Sequence, residues 1–246
     1  MVEQLNERLN HSQLRWAVIQ FPGTWSDYDC DFALKEVLGQ KSEIIWSKNR
    51  VSLAEFDAII LPGGFSYGDY LRAGSIARFD PIMREIEKAA FDGKPIIGIC
   101  NGFQVLTEAG FLPGALMKNE CLEYRCQDVY LRVENNQTFF TSQLKKSQVL
   151  KMPISHGEGR FWCDEKTLED LERNGQVVFR YCTKDGEVIK EANPNGSVNN
   201  IAGIINRAGN ILGMMPHPER ACEPLIGGTD GRFVFNSIIN SVLKRK

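Results

Sequence analysis

The stretch from residue 98 to residue 106, Gly-Ile-Cys-Asn-Gly-Phe-Gln-Val-Leu, constrains this chain more than any other. Residues 94 to 99 have the length and bounds of a short buried strand, and residues 103 to 109 read as the first turns of a helix. Cys100 is thereby placed at the corner between them. A side chain at a sharp strand-to-helix turn stands exposed above the sheet, with a helix N-terminus at its back. Gly98 and Gly102 suit such a turn, which brings backbones close together and often needs a positive φ that glycine adopts at little cost. The N–H groups of a helix start also favour a thiolate over a thiol, and the thiolate is the nucleophile. A cysteine taken at random is more often an inert small hydrophobe. The glycine-framed corner reverses that reading for Cys100.

A nucleophilic thiol needs a base, and the chain has three histidines: His11, His156 and His217. His217 follows the apolar run from 211 to 215, which reads as a strand, and lies between Pro216 and Pro218. Those prolines bias the residues before them toward extended geometry and bar a helix. His217 and Glu219, two apart on an extended segment, then point to one side. The imidazole would take the thiol proton, while Glu219 would fix its tautomer and stabilise its charged form. Alone, His-Pro-Glu reads as a surface turn. Paired with the corner at Cys100 it becomes a triad.

Residues 15 to 21, 43 to 46 and 57 to 61 also read as strands, and 27 to 38 as a helix with Phe32, Ala33, Val37 and Leu38 on one side. Residues 67 to 92 contain a helical stretch whose second part starts at Pro81. This alternation predicts an α/β, flavodoxin-like fold: a mostly parallel sheet with helices on both faces and ligands at the carboxyl ends of its strands. Positions 62, 100 and 217 all fall at such ends, a separate argument for one site there. Gly63 and Gly64 come straight off a strand, where such a turn can aim backbone N–H groups into a cavity. The turn lacks the Lys-Ser/Thr ending of a phosphate loop and the spacing of a dinucleotide fingerprint.

Antiparallel additions are expected as well. Residues 129 to 140 alternate around Asn135 and Asn136 as a hairpin, and 201 to 206 with 210 to 215 form another that leads to His217. Residues 153 to 161 read as a loop crowded with small residues, 165 to 173 as a helix, 176 to 182 as a strand and 185 to 200 as a surface loop. Residues 227 to 230 cap a final helix reaching Leu243, with Phe233, Val234, Ile238 and Val242 toward the core. Residues 1 to 13, His11 included, form a flexible extension, and 14 to 246 a single domain.

A formal net charge of −2 and the absence of any basic run give no reason to expect nucleic acid. No apolar segment is long enough to span a bilayer, and the first residues lack the apolar core of a signal peptide, so a cytoplasmic protein is expected. Seven cysteines without a regular framework fit reduced thiols. Cys121 and Cys126 are the only close pair, and no second pair or nearby histidine completes a zinc site.

The motifs GICNGFQ at 98 to 104, LPGGFSYGDYLRAG at 61 to 74, HGEGRF at 156 to 161 and GMMPHPER at 213 to 220 together resemble the class I, or triad, glutamine amidotransferases. Within that family they are most similar to the purine-biosynthetic branch, from about Arg15 to the C-terminal helix. The resemblance implies hydrolysis of L-glutamine through a thioester on Cys100, with His217 and Glu219 completing the triad. It implies an oxyanion hole from the amides of Gly64 and Asn101, and glutamine contacts from Gln104, His156, Gly157 and Glu158. It implies no metal or organic cofactor in this chain; ATP and Mg belong to a synthetase partner that makes formylglycinamidine ribonucleotide, with a small subunit able to bridge the two. Asp69 and Arg72 can pair with each other, touch a partner or line the site, and a structural role is favoured over a catalytic one for both. Two alternatives use the same residues differently: a free-standing γ-glutamyl hydrolase, and a non-catalytic flavodoxin-like module in which Cys100 is only core.

Overall fold

The computed structural model describes residues 13 to 246; His11 and all but the last residue of the expected extension lie outside the described residues. Strand β1 (Arg15–Gln20) leads into α1 (Asp27–Phe32), which continues as a π-helical turn over Ala33–Val37 where the sequence reads as one regular helix. Then come β2 (Lys41–Trp46), β3 (Ala58–Leu61), α2 (Ile82–Phe91) directly after Pro81, β4 (Ile96–Ile99) and α3 (Asn101–Glu108). The second half brings β5 (Ala115–Met117), β6 (Arg125–Val133), β7 (Val149–His156), β8 (Arg160–Trp162), α4 (Glu165–Arg173) and β9 (Val177–Cys182). The chain closes with β10 (Ile201–Ile205), β11 (Ile211–Met214) and α5 (Gly231–Leu243).

Nine strands form one sheet in the order β2-β1-β3-β4-β11-β10-β9-β6-β7, and β5 pairs with β8 apart from it. From β2 to β11 every pairing is parallel, and the order is that of a flavodoxin-like sheet. Every residue of β3, β4 and β11 is buried, because a strand covered on both faces has no polar side to offer. From β11 to β7 every pairing is antiparallel. Strand β11 therefore belongs to both halves, and the carboxyl ends of β3, β4 and β11 lie side by side along one edge.

Several local expectations are corrected. The hairpin at Asn135 and Asn136 does not close there: β6 pairs along its length with β7, and residues 134 to 148 connect them as a loop. Asn135 does make a turn, its side-chain oxygen accepting from the Gln137 N–H at 2.9 Å. Phe139 and Phe140, which mimic strand alternation, are loop side chains buried in the core. Residues 153 to 156, expected in a loop, belong to β7, where Pro153 is tolerated because β7 is the sheet edge. The surface loop of 185 to 200 buries Asn195 and Ser197. Asp230 precedes α5 without capping it; its carboxylate accepts instead from the Lys151 N–H at 2.8 Å. Phe233 is 37% exposed, while Val234, Ile238 and Val242 are core as expected.

Candidate active site

The corner at Cys100 forms, and the strain falls on the cysteine itself. Cys100 has φ 51° and ψ −105°, a conformation costly for a side chain of any size and found chiefly at functional sites. Its N–H donates to the Met214 carbonyl at 2.8 Å, which ties the end of β4 to the end of β11. Gly98 and Gly102 serve the close approach rather than a positive φ. A Cβ on Gly102 would lie 1.9 Å from the Leu61 carbonyl oxygen, so only glycine lets α3 start this near β3. Contrary to the expectation of an exposed side chain, Cys100 is 5% exposed. It is reached through a cleft of about 250 Å³ shared with Gly64, Ser155, His217 and Arg220, whose rim carries the exposed rings of Trp25, Phe65 and Tyr124.

His217 arrives at the neighbouring strand end and is extended, as the following proline requires. Pro218 then opens a 3-10 turn, Pro218–Ala221, so Glu219 meets the ring through a turn and not through strand alternation. Proline fits the first helical position because its missing N–H has no acceptor there. His217 Nδ1 lies 2.6 Å from Glu219 Oε1, with both residues 2% exposed. With Nδ1–H donated to Glu219, Nε2 carries the free lone pair, and that buried Nε2 has no partner in the protein. Burial opposes the charged ring, but Glu219 and the neighbouring Cys100 outweigh it and raise the His217 pKa, so the ring readily takes up a proton at Nε2. A Cβ on Gly63 would fall 2.6 Å from His217 Cε1 and 3.4 Å from Cys100 Cβ, which shows how closely the two side chains converge. The thiol itself is turned toward the Ser155 carbonyl at 3.6 Å. Rotation about its Cα–Cβ bond is the adjustment that would aim it elsewhere.

The other thiols are poor nucleophiles or lie elsewhere. Burial pushes Cys182 up to about 11 and Cys222 up to about 12, and Cys121 and Cys126 are exposed and do not line the Cys100 cleft.

Two backbone amides close to Cys100 along the chain or across the cleft, those of Asn101 and Gly64, have no backbone acceptor. Gly63 accepts from the N–H groups of both Trp25 (3.0 Å) and Ser26 (3.1 Å). In a trans peptide the next N–H points the opposite way, so that of Gly64 is turned from this segment and is left out of the backbone pairing. Asn101 is the first residue of α3 and its N–H has no acceptor within the helix.

The expected glutamine-contacting residues stand together but do not line the Cys100 cleft. Gln104 Nε2 donates to the Glu158 carbonyl at 2.7 Å, and its Oε1 accepts from Asn101 Nδ2 at 2.9 Å. His156 is buried, with Nδ1 3.2 Å from Asn119 Oδ1 and Nε2 3.5 Å from Asn195 Nδ2. Burial, aided by the charge of His217, holds the His156 pKa down at about 4. The Gly157 carbonyl accepts from the Asn119 N–H at 2.9 Å, while Glu158 borders an adjoining hollow together with Arg72, Lys118 and Arg160. Asp69 and Arg72 do not pair with each other: Arg72 binds Glu108 at 2.6 Å, and burial with the Glu158 charge raises the Asp69 pKa to about 6.

Sequence reasoning passed over Asn119, Asn195 and Arg220. Asn119 Oδ1 accepts from the Gly159 N–H at 3.0 Å and Asn195 Nδ2 donates to the Gly159 carbonyl at 2.8 Å, so two distant asparagines fix the 157 to 159 turn. Nothing in their spacing marks them. Arg220 sits inside a motif already singled out and donates to Ser26 Oγ (2.8 Å) and Asp29 Oδ2 (3.1 Å), joining the His217 turn to the start of α1. Among the described residues no set of three His, Cys, Asp or Glu is placed to hold a metal ion, and no helix is long and apolar enough to cross a membrane.

Residues 13–228 match the CobB/CobQ-like glutamine amidotransferase domain. The chain is 56% identical over 227 residues to phosphoribosylformylglycinamidine synthase subunit PurQ of Moorella thermoacetica, covering 92% of this chain and 96% of that one. It is 54% identical to the subunit of the same name from Salinibacter ruber, over 93% and 97% of the two chains. In three dimensions it superposes on a chain of the PurLQS structure from Thermotoga maritima with a TM-score of 0.83 and 43% identity, across 94% of this chain and 100% of that one. A strained cysteine corner beside a buried His-Glu pair, within a match of that extent, places this chain in the CobB/CobQ-like glutamine amidotransferase family.

Proposed function

We propose that the chain is the glutaminase subunit of a phosphoribosylformylglycinamidine synthase, and that residues 14 to 246 act as one amidotransferase domain. The observation that carries the chemistry is the convergence of Cys100 with the His217–Glu219 pair at adjoining strand ends. His217 takes the thiol proton through Nε2, and the Cys100 thiolate attacks the side-chain amide carbon of L-glutamine. Negative charge develops on the amide oxygen, where the N–H groups of Gly64 and Asn101 receive it; each such donor stabilises the transition state by roughly 3 kcal/mol. His217 then protonates the leaving ammonia, the thioester remains on Cys100, and water activated by His217 releases glutamate. Glu219 keeps the ring oriented and offsets its charge throughout.

The turn at His156, Gly157 and Glu158 supports the α-amino and carboxylate end of the substrate. Asn119, Asn195 and Gln104 hold that turn still, and His156, neutral and buried, is part of its support and not a second base. Thiolate, imidazole and two amides suffice for amide hydrolysis, so the cycle in this chain calls on no metal or organic cofactor. The ammonia passes to an ATP-dependent synthetase subunit that carries the ATP and Mg and converts formylglycinamide ribonucleotide to formylglycinamidine ribonucleotide, with a small additional subunit bridging the two. Seven free cysteines fit work in the cytoplasm.

The test is labelling with a glutamine-analogue diazoketone, with and without the synthetase, followed by peptide mapping and glutamine protection. A glutamine-protected adduct on Cys100 that increases with the synthetase present is expected. Equal labelling in both conditions would indicate a free-standing hydrolase, and no adduct on Cys100 would remove the thioester mechanism.

A further inference from the structure

We infer that Asn101 contributes more than its N–H group: its side chain is a positioning residue that sets the register between the two halves of the oxyanion hole. This rests on the glutaminase reading and deepens it. One donor, Gly64, lies on the loop after β3; the other, Asn101, begins α3, so the distance between them depends on how that loop sits against the helix start.

On one side the loop is fixed by the segment after β1. Gly63 accepts from Trp25 and Ser26, and the N–H groups of Phe65 and Tyr67 donate to Gly23 (2.9 Å) and Pro22 (2.6 Å). On the side toward the nucleophile one side chain makes the connection: the Ser66 N–H donates to Asn101 Oδ1 at 3.2 Å. The Asn101 carboxamide cannot turn away from that bond, because its Nδ2 donates to Gln104 Oε1 at 2.9 Å and lies 3.4 Å from Asp69 Oδ1. Gln104 is held in turn by the Glu158 carbonyl. Asn101 is 1% exposed, so these bonds do not compete with water.

The loop needs such a tether. Tyr67 (φ 56°), Gly68 (φ 68°), Asp69 (φ 54°) and Leu71 (φ 68°) all lie in the left-handed region, which non-glycine residues keep only when their surroundings hold them. Beside Ser66 the loop is anchored through Tyr67 Oη, which donates to Asp80 at 2.7 Å. Gly64 itself is held to the Gly23–Ser26 segment, and Asn101 ties that segment and its loop to the start of α3.

The test compares the assembled enzyme with Asn101→Ala and Asn101→Leu, the second keeping the buried volume filled. In both variants kcat for glutamine hydrolysis is expected to fall about 30-fold, the scale of a displaced transition-state donor, with KM within about threefold of wild type. Alkylation of Cys100 by iodoacetamide forms no oxyanion, so its rate at fixed pH is expected to stay within about twofold. It must be mapped to Cys100, because Cys121 and Cys126 are exposed. Hydrolysis within threefold of wild type in either folded variant overturns the inference, as does alkylation that slows as much as hydrolysis, since the defect would then lie in the thiol and its base. A wild-type complex that releases no ammonia from glutamine would instead sink the glutaminase reading itself.

Discussion

Glu219 is a buried carboxylate whose Oε1 is committed to His217, and it is the main reason a buried imidazole can carry charge here. Glu219→Gln keeps the shape and removes that charge, so the ring loses both its tautomer and its cation. We expect kcat for glutamine hydrolysis to fall by about 10³-fold or more with little loss of folding, the scale on which such an exchange acts in a triad. A steady-state ammonia assay on the assembled enzyme checks this, with Cys100→Ser as the inactive reference; a drop of less than tenfold would remove Glu219 from the mechanism. Gly63→Ala tests the packing between base and nucleophile. Its Cβ would lie 2.6 Å from His217 Cε1, so the ring must move and kcat should drop by about 10²-fold. A crystal structure of that variant with His217 undisplaced, together with full activity, would show that the close approach of base and nucleophile does not require glycine at 63.

The turn that follows β7 is held from beneath by a neutral histidine, and this makes it an acid-sensitive element. His156 has its pKa pushed down to about 4, whereas an unfolded chain binds the proton near 6.5. Well above pH 6.5 neither state is protonated and this residue contributes no pH dependence. Below it the unfolded state takes up a proton that the native state refuses, so stability falls, by about 2 kcal/mol at pH 5 and about 3 kcal/mol by pH 4. Urea unfolding at a series of pH values, with His156→Asn as the reference lacking this component, measures it; identical slopes for the two proteins would exclude it. The sequence was legible where one residue type carries the local geometry. The apolar runs of β1, β3, β4 and β11, the corner at Cys100 and the proline-bounded His217 are of this kind. It misled where burial and strand character separate, as at Phe139 and Phe140, which are apolar because they enter the core from a loop. It was silent on the asparagines beneath the turn. Asn119 and Asn195 meet His156 only after β6, β7 and β9 have paired, and no spacing along the chain encodes that meeting.

At the scale of the molecule the site lies where the two halves of the sheet join, since β11 pairs in parallel with β4 and antiparallel with β10 and then delivers His217. What holds that seam from outside is α5, which lies beyond the 13–228 match to the family domain. Phe235 meets Trp16 of β1 edge to face with ring centroids 6.2 Å apart, and both rings are fully buried. At the start of the helix its first residue, Gly231, is so close to the Glu219 turn that a Cβ there would lie 1.9 Å from the Pro218 carbonyl oxygen. The helix thus has two separable effects. Phe235→Ala empties a core site far from the chemistry and should cost about 3–5 kcal/mol, lowering the melting temperature by roughly 10 °C in a chain of this size, with kcat unchanged well below the transition. Gly231→Ala would stabilise an isolated helix by up to about 1 kcal/mol, yet here the added methyl must push the Pro218–Ala221 turn and the carboxylate it carries. Its expected outcome is the reverse pattern: a kcat lower by about tenfold with a smaller loss of thermal stability than Phe235→Ala. Thermal scans paired with ammonia release by the assembled enzyme separate the two effects. If Gly231→Ala is as active as wild type, the helix only closes the core; if Phe235→Ala loses activity while still folded, packing at the Trp16 contact also positions the catalytic groups and the two effects are one.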